Sequence, residues 1–463
     1  MIALERRYRG ASYAAGPLLF VEQVRGVALG EWVVIRDAGH ADRRGQVIET
    51  SESVTVVQLL DESIGLAPHA VDIAFTGRVA TTPVGRDLLG RAFDGHGAPV
   101  DGLPAPIGEA VRSVNGAPLN PVRRRPPSDF IETGMSAIDA MNTLVRGQKL
   151  PIFSGPGLPA LEIAARIVEG ARAPRDEPFA VVMAGVGITA RESGEFLDRV
   201  RASGVLPRTL LYINEASHPA VERLNAPRLA LTSAEFLAFE AGIHVLVVIA
   251  DMTHYCEALR EIATAREEIP GRRGYPGYMY TDLASIYERA GLVQGREGSI
   301  TQIPILTMPD EDITHPIPDL TGYITEGQVV LSRELQRRGV NPPIDVLPSL
   351  SRLMSAGIGK GKTRAEHRQW SDQLYASYAR GREARTMAAI VGASGLAEAD
   401  RRALDFADRF EREFVNQGAG RRTIDETFEI GWTLLGRLPR EDLVRIDDAT
   451  WAARAAPVTP PSP

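Results

Sequence analysis

The sequence predicts a multidomain α/β protein with an N-terminal β unit, a central parallel α/β domain and a C-terminal helical bundle. Three observations predict it. Short alternating apolar runs fill residues 1–75, compact unbroken apolar runs alternate with helical stretches over 76–345, and residues 346–463 are rich in Ala, Arg and Glu at helical spacing. A chain of 463 residues also exceeds what one hydrophobic core organises, so two or three domains are expected.

In the first region the runs LLFVEQV, EWVVIRD, GQVIET and VTVVQLL are separated by turn residues such as DAGHADRRG. Evenly spaced short strands of this kind read as a small closed β-barrel or a sandwich. In the second, LPIF, FAVVMA, TLLYIN, VLVVIAD, IPILTMP and GQVVL punctuate helix-like segments. Unbroken apolar runs suit strands buried on both faces, and the alternation suits a parallel sheet. In the third, LAEADRRALDFADRFEREFVNQG carries its apolar residues on one helical face, as in a bundle. The Pro-rich tail from about 455, AAPVTPPSP, is expected to be disordered.

Composition excludes several classes. Hydrophobic and charged fractions of 44% and 24% are those of an ordinary globular protein. A net charge of −7 argues against binding nucleic acid by general phosphate neutralisation. The single cysteine, Cys256, rules out an intrachain disulfide and fits a reducing compartment. The start, MIALERRYRG, lacks the apolar run of a signal peptide, and the most hydrophobic segment, IHVLVVIADM, is about half a membrane span. Any membrane role is expected to pass through partner subunits. No metal-ligand set is apparent.

Two stretches invite comparison with a phosphate-binding loop, G-x-x-x-x-G-K-[ST]. AGIGKGKT (Ala356 to Thr363) matches loosely, but such a loop needs a strand to deliver its N–H groups to a helix start. SLSRLMS before it has no buried-strand character, so it reads as a flexible basic loop. QKLPIFSGPGLPALEIAARIVEGA has the right context: a strand, a Gly-rich turn and an amphipathic helix. On the pattern, Ser154 stands at the first Gly, followed by Gly155, Pro156, Gly157 and Leu158. Pro159 stands at the last Gly, Ala160 at the Lys and Leu161 at the Ser/Thr. The turn survives without an ammonium for phosphate or a hydroxyl for Mg²⁺, and Pro159 removes an N–H donor. Taken alone, the stretch reads first as the ordinary strand–turn–helix of any α/β fold.

Flanking segments extend the comparison. VGRDLLGRAFDGHGAPVDG (84–102), TGMSAIDAMNTLVRGQKLPIFSG (133–155), EEIPGRRGYPGYMYTDLASIYERAG (267–291) and PPIDVLPSLSR (342–352) resemble the head subunits of rotary ATPases and ATP synthases. The signature P-x-x-D-x-x-x-S-x-S is met by Pro342, Asp345, Ser349 and Ser351, and the similarity spans nearly the whole chain. Catalytic relatives keep an intact phosphate loop, whereas SGPGLPALEIAA resembles the SGxGLPxNE-type segment of the B subunits, or beta chains, of V/A-type ATPases. It departs from that segment at Ala160 and Leu161, where His and Asn are common.

The resemblance implies an N-terminal β-barrel, a RecA-like central domain with a degenerate phosphate loop, and a helical C-terminal domain. It places Gly185 and Val186, in AGVGIT, where catalytic relatives carry a water-polarising Glu and an Arg. Asp251 falls at a vestigial Walker-B position, read here as a strand-end cap. Arg352 matches an arginine finger acting in trans. Ser349 and Ser351 are the candidate nucleotide-side residues of that interface loop, expected to shape the turn more than to touch phosphate. The aromatic run YPGYMY (Tyr275 to Tyr280), a candidate weak nucleotide contact, reads first as packing.

Implied partners are a catalytic A subunit in an alternating hexamer with three of each, and central and peripheral stalk subunits. The membrane sector would be reached only through the complex, at the cytoplasmic face of the membrane, and no nucleic acid is involved. The chain itself is expected to hold no cofactor tightly and to be inactive alone, with Mg-ATP or Mg-ADP at the interface with the catalytic subunit. Two rival readings are an autonomous hexameric ATPase, which needs the missing Lys and Glu, and a purely structural homologue, which has no use for Arg352.

Overall fold

The computed structural model describes residues 5–455 except 38–39, 62, 117 and 174–176; the tail expected to be disordered lies outside the described residues from 456 on. The first seven strands are Arg6–Arg9, Tyr13–Ala15, Leu18–Glu22, Glu31–Arg36, Arg43–Thr50, Val54–Leu59 and Asp72–Val79. They pair antiparallel in the order first, seventh, fourth, fifth, sixth, third, second. Alternation drives this unit. In Glu31–Arg36 every second residue is buried, and Leu19, Val33, Ile35, Val57, Ile73 and Phe75 meet in one apolar cluster around which the sheet curls. Its last strand runs to Val79, past the boundary placed at 75.

The central sheet runs, edge to edge, Ile344–Ser351, Gly327–Leu331, Ile152–Ser154, Ser299–Thr307, His244–Ala250, Phe179–Ile188, Thr209–Glu215 and Ala92–Asp94. All neighbours are parallel except the first pair. Each compact apolar run in the sequence is one of these strands, and all seven residues of His244–Ala250 are buried. Both faces are covered. Val181 and Met183 pack under helices Ala160–Gly170 and Ala190–Ala202, and Val182 and Ala184 under helices Ala220–Phe239 and Met252–Ala265. At roughly 1.5–3 kcal/mol for each large apolar side chain buried, this two-sided burial is the main stabilisation of the domain.

The edge strand Ile344–Ser351 extends the sheet past the boundary placed at 345. Beyond it lie helix His367–Val391, helix Glu398–Arg409 continued by a wider turn over Phe410–Val415, helix Ile424–Leu435 and helix Asp448–Ala455. Trp370, Phe414 and Phe428 pack ring against ring at their centre, and Gly431 is required there because a Cβ would stand 2.2 Å from the Trp370 ring. This bundle shares one apolar core with the central domain. Their joint is also polar: His367 Nε2 lies 2.9 Å from the Ala140 carbonyl, and Ser136 Oγ lies 2.9 Å from Thr427 Oγ1. Cys256 is buried and unpaired. Among the described residues no helix is long and apolar enough to cross a membrane.

Candidate functional site

The basic stretch Ala356–Thr363 begins inside the short helix Met354–Gly357 and closes on itself. Lys362 Nζ donates to the Ala356 carbonyl (2.5 Å), and the Gly359 N–H donates to Thr363 Oγ1 (2.9 Å). The residues SLS before it end a strand. It is an edge strand with alternating exposure, which explains the lack of buried-strand character, and it stops at Ser351, before the stretch begins.

The Gly-rich turn lies between strand Ile152–Ser154 and helix Ala160–Gly170, as its context requires. Ser154 is buried, and its hydroxyl donates to the Gly155 carbonyl (3.2 Å). Gly157 takes φ +74° with open space around it, so the turn keeps a left-handed corner. The Leu158 N–H donates to the Gly155 carbonyl (3.1 Å), and the Ala160 N–H donates to the Leu158 carbonyl (2.8 Å). Pro159 stands at the N-cap without a side-chain cap. The Glu311 carboxyl group packs over Gly155, 3.0 Å from where a Cβ would be. Arg333 bonds that carboxylate and donates to the Pro156 carbonyl (2.5 Å). A helix N-terminus favours anions. Here its first turn opens with Ala160 and Leu161, and a carboxylate already lies against the loop. Beside it a cleft of about 440 Å³ is lined by Leu158, Ala160, Leu161, Glu162 and Phe196 among others, with Arg191 and Arg199 as its cations.

The two positions expected to correspond to a water-activating Glu and its Arg are apolar. Gly185 and Val186 are buried inside strand Phe179–Ile188, and a Cβ on Gly185 would stand 2.9 Å from Ile188 Cδ1. Asp251 caps helix Met252–Ala265: Oδ1 accepts from the N–H groups of Thr253 (2.7 Å) and Thr307 (3.1 Å), and Oδ2 accepts from the Thr307 hydroxyl. Among the described residues no group of three or more His, Cys, Asp or Glu is placed to hold a metal. The run YPGYMY divides. Tyr275 is buried, with its hydroxyl 2.5 Å from Glu257 Oε1 and its ring under Arg260, while Tyr278 and Tyr280 are exposed.

The two signature serines are both engaged within the chain, Ser349 at a bulge. Strand Ile344–Ser351 pairs with Gly327–Leu331, but the register jumps from Leu350 opposite Gln328 to Asp345 opposite Val330. Ser349 Oγ fills the gap, accepting from the Val330 N–H (2.9 Å) and donating to the Asp345 carbonyl (2.6 Å). Ser351 Oγ donates to the Thr143 carbonyl (3.0 Å) and accepts from Gln148 Nε2 (3.0 Å). Both serines are buried. Asp345 is held nearby, where burial raises its pKa and Arg382 at 3.4 Å opposes the rise. From the end of this strand Arg352 emerges exposed. Its backbone N–H donates to the Glu326 carbonyl (3.0 Å), and among the described residues its guanidinium makes no hydrogen bond or ion pair.

The comparisons agree along the whole chain. Residues 134–351 match the ATP synthase alpha/beta family nucleotide-binding domain, 12–77 its beta-barrel domain, and 356–455 the C-terminal domain of V and A type ATP synthase. A V-type ATP synthase beta chain of Anaeromyxobacter sp. (strain Fw109-5) is 62% identical over 454 residues, covering 98% of this chain and 99% of its own. Another, of Thermus thermophilus, is 57% identical over 454 residues, covering 96% and 95%. Among solved structures, the ATP synthase subunit NeqB of Nanoarcheaum equitans superposes with a TM-score of 0.72 at 41% identity, covering 91% of this chain and all of that one.

Proposed function

The chain belongs to the V-type ATP synthase beta chains of the ATP synthase alpha/beta family, and from that premise we propose that it is a non-catalytic subunit completing ATP sites carried by a catalytic partner. Its own loop offers no ammonium or hydroxyl at Ala160 and Leu161, and no carboxylate replaces Gly185. Phosphoryl transfer needs charge stabilisation and a positioned nucleophile, and a chain without these groups acts by lending one to a neighbour.

Arg352 is the residue it lends. A guanidinium stays charged and presents planar donors to phosphate oxygens. Supplied in trans, such a group is worth about 10³–10⁵ in rate. The observation that carries this reading is an exposed guanidinium, unpaired among the described residues, on a strand end whose serines are both committed within the chain. The phosphate loop is read as degenerate, Asp251 as a cap, and Ser349 and Ser351 as the residues that shape the turn behind the finger. Mg-ATP and Mg-ADP belong at the interface with the catalytic subunit, in an alternating hexamer joined to central and peripheral stalks. The complex is a rotary, ion-translocating ATPase or synthase, with this chain peripheral on the cytoplasmic face of the membrane.

Replacing Arg352 with Ala in the reconstituted head is expected to lower ATP turnover by about 10³-fold or more while the ring still assembles. Ordinary turnover in an assembled ring would reject the assignment.

A further inference from the structure

The backbone that holds Arg352 is itself held by an ion pair between a buried lysine and a half-buried glutamate. The Glu326 carbonyl accepts the Arg352 N–H (3.0 Å) and Gln148 Nε2 (3.1 Å). Lys149, only 3% exposed, places its ammonium between Glu326 Oε1 (2.9 Å) and Glu288 Oε1 (2.8 Å). The Lys149 N–H donates to Glu326 Oε2 (2.8 Å), and the Glu326 N–H donates back to the Lys149 carbonyl (3.1 Å). Next in the chain, Gly327 takes φ +141°, and a Cβ there would stand 2.0 Å from the Leu350 carbonyl oxygen. Glu326 is therefore tied through its carboxylate, its N–H and its carbonyl, while the strand end presses on its neighbour.

We propose that Lys149 and Glu326 are positioning residues for Arg352: their ion pair fixes the main chain from which the guanidinium projects into the partner's site. This rests on the reading of Arg352 given above. Such a pair is a weak source of stability, because the cost of desolvating the Lys149 ammonium offsets much of the attraction. What this one supplies is direction, since both carboxylate oxygens and two backbone bonds leave Glu326 a single placement. A displacement of about 1 Å in a catalytic group costs on the order of 10²-fold in rate, so a loosened clamp is read in turnover.

The test uses the head reconstituted with its catalytic partner, with Lys149→Met and Glu326→Gln made alone and each combined with Arg352→Ala. The readouts are kcat, KM for Mg-ATP, and affinity for Mg-ADP with and without aluminium fluoride, which mimics the planar phosphoryl group. Each single variant is expected to lower kcat about 10-fold or more with KM within about twofold, and to weaken the fluoride complex without weakening Mg-ADP. Neither is expected to add to the loss caused by Arg352→Ala, because the clamp acts only through that residue. Unchanged kcat, losses that multiply with Arg352→Ala, or failure of both single variants to assemble would overturn the positioning role while leaving the arginine assignment standing. Ordinary turnover by Arg352→Ala alone would remove both.

Discussion

Asp251 separates the two uses of a carboxylate at a strand end. In a site that supports Mg²⁺ its oxygens must be free to face the ion's water shell. Here both are engaged, with the Thr253 N–H at the helix start and with the N–H and hydroxyl of Thr307. Replacing Asp251 with Ala is expected to lower the unfolding free energy by about 2 kcal/mol, from a lost cap and unpaired donors at Thr307. Turnover of the reconstituted head should stay within about twofold. Denaturant unfolding alongside a turnover assay checks both; a collapse of turnover at unchanged stability would return Asp251 to the chemistry. At this scale the sequence says directly that Ala160, Leu161 and Gly185 carry no ammonium, hydroxyl or carboxylate. It was not legible at Lys149 and Glu326. A lysine beside a strand and a glutamate in a turn look like surface residues until a fold brings residues far apart in the chain into one ion pair.

Elements were legible in proportion to how plainly burial is written in them. FAVVMA and VLVVIAD announce strands covered on both faces, and they are such strands. PPIDVLPSLS hides its strand because an edge needs only one apolar face, tolerates proline, and here carries a bulge that breaks the alternation. The Gly-rich turn is the opposite case: the strand–turn–helix that a phosphate loop needs is present, without the Lys and Ser/Thr of the pattern. The Ala160–Gly170 helix still points a positive N-terminal end at the turn. One exposed helix terminus contributes only about 0.3–1 kcal/mol to holding an anion, and the nearby Arg333 is already paired with the Glu311 carboxylate packed over Gly155. The isolated chain titrated with Mg-ATP by calorimetry is therefore expected to give no site tighter than the micromolar range, about −8 kcal/mol. A submicromolar site would show that the element binds without its lysine and hydroxyl.

At the scale of the molecule, the joint between the central domain and the helical bundle is built around a neutral imidazole. His367 is fully buried, facing the rings of Trp370 and Phe428, with Nε2 2.9 Å from the Ala140 carbonyl and Nδ1 3.0 Å from Thr363 Oγ1. Burial drives its pKa down from 6.5 to about 4, with the Ala140 carbonyl opposing the shift. Between those values the unfolded chain takes up a proton that the folded chain refuses. The stability tied to this group is therefore present above about pH 6.5 and is lost as pH falls through about 4. The shift corresponds to about 3 kcal/mol. Asp139, at the same joint, acts in the opposite sense. Its carboxyl is raised to about 7 by burial despite hydrogen bonds from Thr133 and Gly134, so its share is present at low pH and lost as pH rises through about 7. A single acid titration mixes the two, and the difference between the native chain and a His367→Gln variant isolates the imidazole, because glutamine keeps a donor for the Ala140 carbonyl and takes up no proton. From pH 7 to pH 4 the native chain is expected to lose about 3 kcal/mol of unfolding free energy relative to the variant, read from denaturant midpoints at each pH. A difference that stays flat across that interval would mean the imidazole finds a proton acceptor in the folded joint, and that the two domains are not locked by its neutrality.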